Sequence, residues 1–407
     1  MEDRELYATI LGVRDPWTVE RVELDAKGER VDVWLGYELR GVQCPECSEG
    51  GTIHDHRERS GRHLDTCQFE TRIHARVPRV SCPEHGVRQV RVPWAEKGSQ
   101  FTALFERLAI DWLREASVSA VARRLRLTWD EVWGIQKRAV RRGLERRGPL
   151  EPVAIGIDEK SFRRRHRYAT LVNDIVDGHV LYVAEGRSRE SLEPFYREEL
   201  TTAARENLAA IAMDMWEPFF QTTLREIPLA ADKVVFDKFH VVKHLNEAVD
   251  KVRRREQREL RGQGDQRLTH TKYWWLKTGR LDDAALHRQF CALRDSDLKV
   301  ARAWSIKETA LNLWSYESKT WAQKFFKRWY FWATHSRLKP VGHAARMMKR
   351  HLHNLLTYID FPITNAASES INATVQTIKS KARGFRNFDN FRTAIYFHCG
   401  GLDLYPH

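Results

Sequence analysis

The sequence predicts an α/β core split by an α-helical insertion and preceded by two small modules, one rich in cysteine and histidine and one helical. Three observations carry this. The hydrophobic period switches between about two and about 3.6 along the chain. Two C-x2-[C/H] pairs stand near the N-terminus, and residues 241–360 keep a helical period almost throughout.

Residues 1–40 form a lead-in whose run ERVELDAKGERVDVWLGYEL alternates around Lys27-Gly28, as a β-hairpin does. Residues 41–95 carry Cys44-Pro45-Glu46-Cys47 and Cys82-Pro83-Glu84-His85, 34 residues apart. Two such turns aim two soft ligands each at one ion, and four ligands close a tetrahedral structural Zn²⁺ site with no open position. Cys67, His54, His56 and His63 read as surface or packing residues, and Cys291 and Cys399 as buried thiols. From 100 to 148 the pattern is helical, with FTALFERLAIDWL, then VSAVARRLRL entered at Ser117. Thr128-Trp129-Asp130-Glu131 is a capping box opening a third helix. Beyond its apolar face of Val132, Ile135 and Ala139 that helix carries Lys137, Arg138, Arg141 and Arg142. Helix, short turn and basic helix predict a major-groove reader of double-stranded DNA.

Residues 150–240 are the first part of the core. Strand-like runs VAIGID, RYATLVNDIV, HVLYVAE, LAAIAMD and KVVFD alternate with helix patterns. Asp158 and Asp214 are expected where two of these strands leave the sheet. Asp237 ends another, with His240 three residues on, and reads either as a near-site residue or as a cap. Residues 351–407 are the second part, with ITNAASESINATVQTIKSKARGF as an amphipathic helix. At 100° per residue Asn365, Glu369, Asn372, Gln376, Lys379 and Arg383 fall within roughly an 80° arc, beside Ile371, Val375, Ile378 and Ala382. Asp158, Asp214 and Glu369 are therefore expected to hold two hard divalent cations, Mg²⁺ or Mn²⁺, for phosphodiester chemistry. Lys379 and Arg383 on the same stripe are expected at DNA phosphates.

Charge separates these parts. The chain has 407 residues and a net charge of +13, and residues 240–360 hold 25 basic against 12 acidic residues, enough to account for all of it. A basic insertion (241–350) with interleaved aromatics suits a polyanion with bases to stack. Arg253, Arg254 and Arg255 are its expected DNA contacts. Tyr273-Trp274-Trp275 and Phe325, Phe326, Trp329, Tyr330 and Trp332 read first as core. Arg163-Arg164-Arg165 sits in a loop, either at a phosphate backbone or solvated. With 42% hydrophobic and 30% charged residues the chain is no disordered polyelectrolyte. No apolar run approaches the roughly 18 residues of a membrane span. The N-terminus lacks a signal-peptide core and six cysteines fit a reducing compartment, so the expectation is a soluble cytoplasmic protein.

The phrases VPRVSCPEHGVRQVRVPWA, IGIDEKSFRRRHRYATLV, AIAMDMWEPF, VVFDKFHVVKHLNEAVDKVRR and ITNAASESINATVQTIKSKARGFRNFDNFR resemble the DDE transposases of bacterial insertion sequences, of the ISL-three family. The resemblance runs from about residue 41 to 400. It implies a ribonuclease-H-like core with a mixed sheet, a zinc ribbon at 41–95 and a metal-binding triad of Asp158, Asp214 and Glu369. It implies a nucleoid-associated enzyme that binds the terminal inverted repeats of its element and joins them to target DNA, as a homodimer or larger assembly. The alternatives are a non-catalytic DNA-binding regulator derived from a transposase and a ribonuclease-H-fold nuclease. Residues 1–40 match no named part.

Overall fold

The computed structural model describes residues 3–38, 41–163, 167–279, 281–363 and 366–406. The chain forms two units, Met1–Arg147 with Tyr396–His407, and Gly148–Ile395.

In the first unit, helix α1 (Asp3–Leu11) precedes strands β1 (Trp17–Asp25), β2 (Arg30–Tyr37), β3 (Gly41–Gln43), β4 (Gly50–Thr66), β5 (Phe69–Cys82) and β6 (Gly86–Gln89). They make one six-stranded sheet in the order β1-β2-β5-β4-β3, with β6 paired to β5. The hairpin at Lys27-Gly28 is present, and Asp25 Oδ1 accepts from both amides at 3.2 and 2.9 Å. Residues 1–40 are no separate lead-in, however. Strand β2 runs parallel to β5, and Val31, Val33 and Leu35 share a core with Ile73, Ala75 and Val77. Strand β5 serves two cores because its alternation changes phase at Val77-Pro78, opposite an extra residue in β4 near His54. Before the change the buried side chains join the first core. After it, Val80 and Cys82 join a second with Val42 and Cys44.

Three capped helices follow, α2 (Ala103–Glu115), α3 (Val118–Leu125) and α4 (Trp129–Arg146). Thr102, Ser117 and Thr128 each accept from the third amide of their helix, and Thr128 with Glu131 completes the expected capping box. Between α2 and α4 lies a buried ion network. Glu106, whose side chain is 1% exposed, accepts from Arg138 at 2.6 and 2.9 Å, from Arg142 at 2.9 Å and from Ser99 Oγ at 2.7 Å. Arg142 also donates to Glu96 and to the carbonyl of Leu404. Removing one member of such a network strands the others in low dielectric. Glu106→Ala is therefore expected to cost about 3–5 kcal/mol and to lower the melting midpoint by roughly 10 °C. Calorimetry checks this, and an unchanged midpoint would show the network to be dispensable.

The sequence placed residues 396–407 with the core, but they pack in this first unit. Arg146 donates to Asp403 at 3.0 Å and to the Tyr405 carbonyl at 2.6 Å, and the Tyr405 hydroxyl donates to Asp111 at 2.6 Å.

The second unit holds β7 (Ala154–Arg163), β8 (Arg167–Asp174), β9 (Val180–Glu185), β10 (Ala210–Met213) and β11 (Val234–Phe236). The sheet order is β11-β10-β7-β8-β9, with β7, β8 and β9 an antiparallel meander and β10 and β11 added parallel to β7. Every residue of β10 and β11 is buried, as expected of parallel strands covered on both faces. Helices α5 (Arg189–Pro194) and α6 (Thr202–Asn207) connect β9 to β10, and α7 (Glu217–Glu226) and α8 (Ala230–Lys233) connect β10 to β11. The insertion is helical, as predicted: α9 (Lys238–Gly262), α10 (Lys272–Leu276), α11 (Ala284–Arg294), α12 (Lys299–Leu311), α13 (Lys319–His335), α14 (Lys339–Arg350) and α15 (Leu352–Asp360). Its apolar residues continue the core of the sheet, and Asn354 of α15 donates to the carbonyls of Ala231 and Val234 beside β11. Helices α16 (Ala366–Lys381) and α17 (Phe388–Cys399) complete the chain.

Candidate active site and metal centres

The register of the parallel strands builds the site. Ile157 pairs with Met213, and Met213 with Phe236. The next residue on each strand is an aspartate, so Asp158, Asp214 and Asp237 stand in one row across adjacent strands about 4.8 Å apart. Asp158 does not end its strand, as the sequence suggested. β7 continues to Arg163 against β8, and Asp158 lies where pairing with the shorter β10 stops. Ligands in open α/β sheets bind at this carboxyl end of parallel strands.

Each carboxylate is already held. Asp158 Oδ1 accepts from the amide of Glu159 at 2.7 Å, and its Oδ2 lies 3.4 Å from Lys160 Nζ. Asp214 Oδ1 accepts from the amide of Met215 at 2.6 Å. Asp237 caps α9, accepting from the amide of Phe239 at 2.9 Å. His240 spans the two later aspartates, with Nδ1 3.1 Å from Asp214 Oδ2 and Nε2 3.8 Å from Asp237 Oδ2. Asp237 is thus a helix cap that also stands in the row of aspartates.

Helix α16 reaches this row through Asn372, whose amide donates to Asp158 Oδ2 at 2.7 Å. Ser368 donates to Asn173 Oδ1 at 3.1 Å one turn earlier. The approach depends on Gly156, where a Cβ would lie 2.7 Å from Ser368 Oγ and 2.8 Å from Asn173 Oδ1. Ile371, Val375 and Ile378 are buried as the wheel predicts, while Ala382 lies beyond the helix end and is exposed. Glu369, on the turn before Asn372, is exposed. Among the described residues Asp158, Asp214 and Glu369 do not bring three oxygens within 4.8 Å of one another. Asn365, Arg164 and Arg165 lie outside the described residues.

Several expected DNA contacts have other work. Arg142 is 6% exposed and, like Arg138, is committed to the network around Glu106. Arg253 is buried and donates to Asp250 and Gln257. These three are structural arginines, because the carboxylates of Glu96, Glu106 and Asp250 neutralise them. Lys379 donates to the Ser161 carbonyl and ties α16 to β7. Lys137 and Arg141 remain exposed on α4, and Arg383 beyond α16. Arg254 and Arg255 are exposed but paired with Asp250 at 3.1 Å and Glu259 at 3.2 Å.

The cysteine pairs converge. Cys44 and Cys47 follow β3, Cys82 ends β5, and His85 precedes Gly86, whose φ of +68° turns the chain into β6. Cys47 Sγ lies 3.7 Å from Cys82 Sγ, and His85 Nδ1 lies 3.6 Å from Cys82 Sγ and 3.9 Å from Cys44 Sγ. Donors bound tetrahedrally to one Zn²⁺ stand roughly 3.5–3.8 Å apart, so the four fit that ion. The amide and ring of His85 hold the Cys82 thiol down to about 6, favouring the thiolate a metal needs. His63 takes no part. It is buried against Thr102 Oγ1 at 2.9 Å, and burial pushes its imidazole down to about 4.

A five-stranded sheet of this order, with carboxylates at the ends of its parallel strands, defines a ribonuclease-H-like core. The other unit supplies a helix-turn-helix and a Cys₃His zinc site. Comparison with known families agrees. A family model described as transposase matches residues 155–395, more than half of the chain. The helix-turn-helix domain of transposase family ISL3 matches residues 90–140, and the zinc finger of the IS204/IS1001/IS1096/IS1165 transposases matches residues 40–85. The chain belongs to the ISL3 family of DNA transposases. It is 28% identical over 403 residues to the transposase for insertion sequence element IS1001 of Bordetella parapertussis, covering 96% of this chain and 97% of the relative. It is 26% identical over 421 residues to the transposase for element IS1557 of Mycobacterium tuberculosis, covering 95% and 93%. Among the described residues no helix is long and apolar enough to cross a membrane.

Proposed function

We propose that this transposase binds the terminal inverted repeats of its element through the zinc module and the helix-turn-helix, cuts the ends, and joins the freed 3′-hydroxyls to target DNA. The observation that carries the catalytic part is the shared register of Asp158, Asp214 and Asp237, with α16 anchored to Asp158. Asp158, Asp214 and Glu369 would hold two divalent ions, Mg²⁺ or Mn²⁺. When bound, such ions lower the pKa of a water and stabilise the leaving oxygen of a phosphodiester. The hard oxygen donors of this set suit them. Asp158, on the central strand β7 of the sheet and bonded to Asn372 of the helix that carries Glu369, would serve as the shared ligand.

In the cleavage step a water oxygen bonds to phosphorus while the bond to the 3′-oxygen breaks, leaving a 3′-hydroxyl and a 5′-phosphate. In joining, that 3′-oxygen bonds to a target phosphorus while the bond from that phosphorus to the target's own 3′-oxygen breaks, leaving a 3′-hydroxyl on the target strand. Asn372 orients Asp158, and His240 orients Asp214, so both carboxylates keep one geometry through the two steps. On the reading unit Lys137 and Arg141 meet the phosphates or base edges, with Trp129 and Trp133 stacked 5.6 Å apart at the start of α4. Two ends require a dimer or larger assembly.

The test is incubation of the purified chain with a labelled duplex bearing its own element's end, with Mg²⁺ and with EDTA. Nicking at the element boundary that needs metal and is absent in Asp158→Ala is expected, followed by joining to a second duplex. Specific binding without cleavage by the wild type, with paired ends also supplied, would favour the regulator. Cleavage without joining would favour the nuclease.

A further inference from the structure

The aromatic residues of the insertion divide into two sets. Trp275, Phe326 and Trp329 are buried in its core, as the sequence suggested. On α13, however, Trp321 is 60%, Phe331 64% and Trp332 38% exposed. At 100° per residue Trp321, Lys324, Arg328, Phe331, Trp332 and His335 fall within roughly a 100° arc. Ala322, Phe326, Trp329 and Ala333 lie on the opposite side and are buried. The exposed stripe runs for roughly 20 Å at 1.5 Å per residue. Lys324 Nζ sits 4.5 Å over the Trp321 ring, and the rings of Phe331 and His335 stack at 4.0 Å.

Residues 319–350, which span α13 and α14, contain nine lysines and arginines and no aspartate or glutamate. Among the described residues Lys324, Lys327 and Arg328 make no ion pair. On α9, by contrast, the exposed Arg254 and Arg255 each pair with a carboxylate. A stripe of exposed rings is costly in water, and one whose own charged residues are all cations marks a binding surface for a polyanion; Asp360 pairs with Lys319 at the start of α13. A second copy of the same stripe would meet it with like charge. Duplex DNA offers phosphates but hides the faces of its bases, whereas an unpaired strand offers both.

We propose that this face of α13 binds single-stranded DNA, with Trp321, Phe331 and Trp332 stacking on unpaired bases and Lys324 and Arg328 on the intervening phosphates. Building on the transposase reading, it would hold a strand freed near the cut.

The test uses the full-length, zinc-loaded chain and two fluorescein-labelled probes, an oligo(dT) of about 15 nucleotides and a blunt duplex of the element end. Trp321→Ala/Phe331→Ala/Trp332→Ala is expected to weaken oligo(dT) binding at least tenfold and duplex binding less than twofold. Trp321→Phe/Trp332→Phe, which keeps the rings, is expected to retain most of the affinity. Lys324→Gln/Arg328→Gln is expected to flatten the salt dependence for oligo(dT) and gives the readout if the alanine variant fails to fold. Unchanged oligo(dT) binding, or equal loss on both probes, would overturn the inference. So would a loss of self-association in sedimentation with binding intact, which would assign the stripe to a second copy. Metal-dependent end cleavage by the wild type is scored in the same preparations. Cleavage with unaltered oligo(dT) binding in the variants sinks this inference alone. Absent cleavage with the stacking effect intact sinks the catalytic reading alone.

Discussion

Asp158→Asn, Asp214→Asn and Glu369→Gln are each expected to reduce end cleavage by on the order of 10³-fold or more, while the variants still bind the end duplex as the wild type does. Each substitution keeps the side chain's size and removes the negative charge. Losing one carboxylate from a two-ion centre forfeits several kcal/mol of transition-state stabilisation, and about 4 kcal/mol is already 10³-fold. A time course of nicking beside a gel-shift titration measures both quantities. His240→Asn is expected to fall between wild type and the triad variants, because it touches Asp214 through the imidazole rather than the scissile phosphate. Cleavage at wild-type rate in any triad variant would remove that residue from the assignment. Equal loss in Asp237→Asn would bring the third aspartate of the row into the metal-binding set.

The second large effect concerns zinc. Cys47→Ser, or extraction of the metal with a strong chelator, is expected to abolish binding to the element end, with zinc content falling from one ion per chain to none. Structural Zn²⁺ contributes roughly 10–16 kcal/mol in small zinc-folded modules, which exceeds or matches the whole stability of a typical domain. The second core of the six-stranded sheet has little else, since two of its four buried members are the ligands Cys44 and Cys82. Loss of near-ultraviolet dichroism with end binding, both restored by added Zn²⁺, would follow. A metal-free chain that binds the end at wild-type affinity would separate this module from DNA reading.

What was legible in the sequence was whatever chain-local physics decides. The zinc pairs, the capping box at Thr128, the hairpin at Lys27-Gly28 and the buried stripe of α16 all act over a few residues. What was hidden depends on partners set by topology. Nothing near Arg142 in the sequence announces Glu96 and Glu106, yet these make it a structural residue instead of a DNA contact. Arg253 could have been suspected, because Asp250 sits one turn before it. The position of Asp158 within β7 follows from β8 being longer than β10, which no single run shows. The row of three aspartates was legible only as three separate strand endings, since register is a property of the assembled sheet. Asn372 was visible in the polar stripe, but its bond to Asp158 was not.

The helix-turn-helix unit is discontinuous in the chain. Arg142 and the Leu404 carbonyl that it holds are 262 residues apart, with the core and insertion made between them. During synthesis, therefore, the unit's last strap is delivered only after the core and insertion have been made. A chain cut short before residue 396 would carry Asp158, Asp214, Asp237, Glu369 and both zinc pairs, yet leave Arg142 and Arg146 without their acceptors at residues 403–405. Emergence of residues 396–407 thus acts as a late assembly step of the DNA-reading unit.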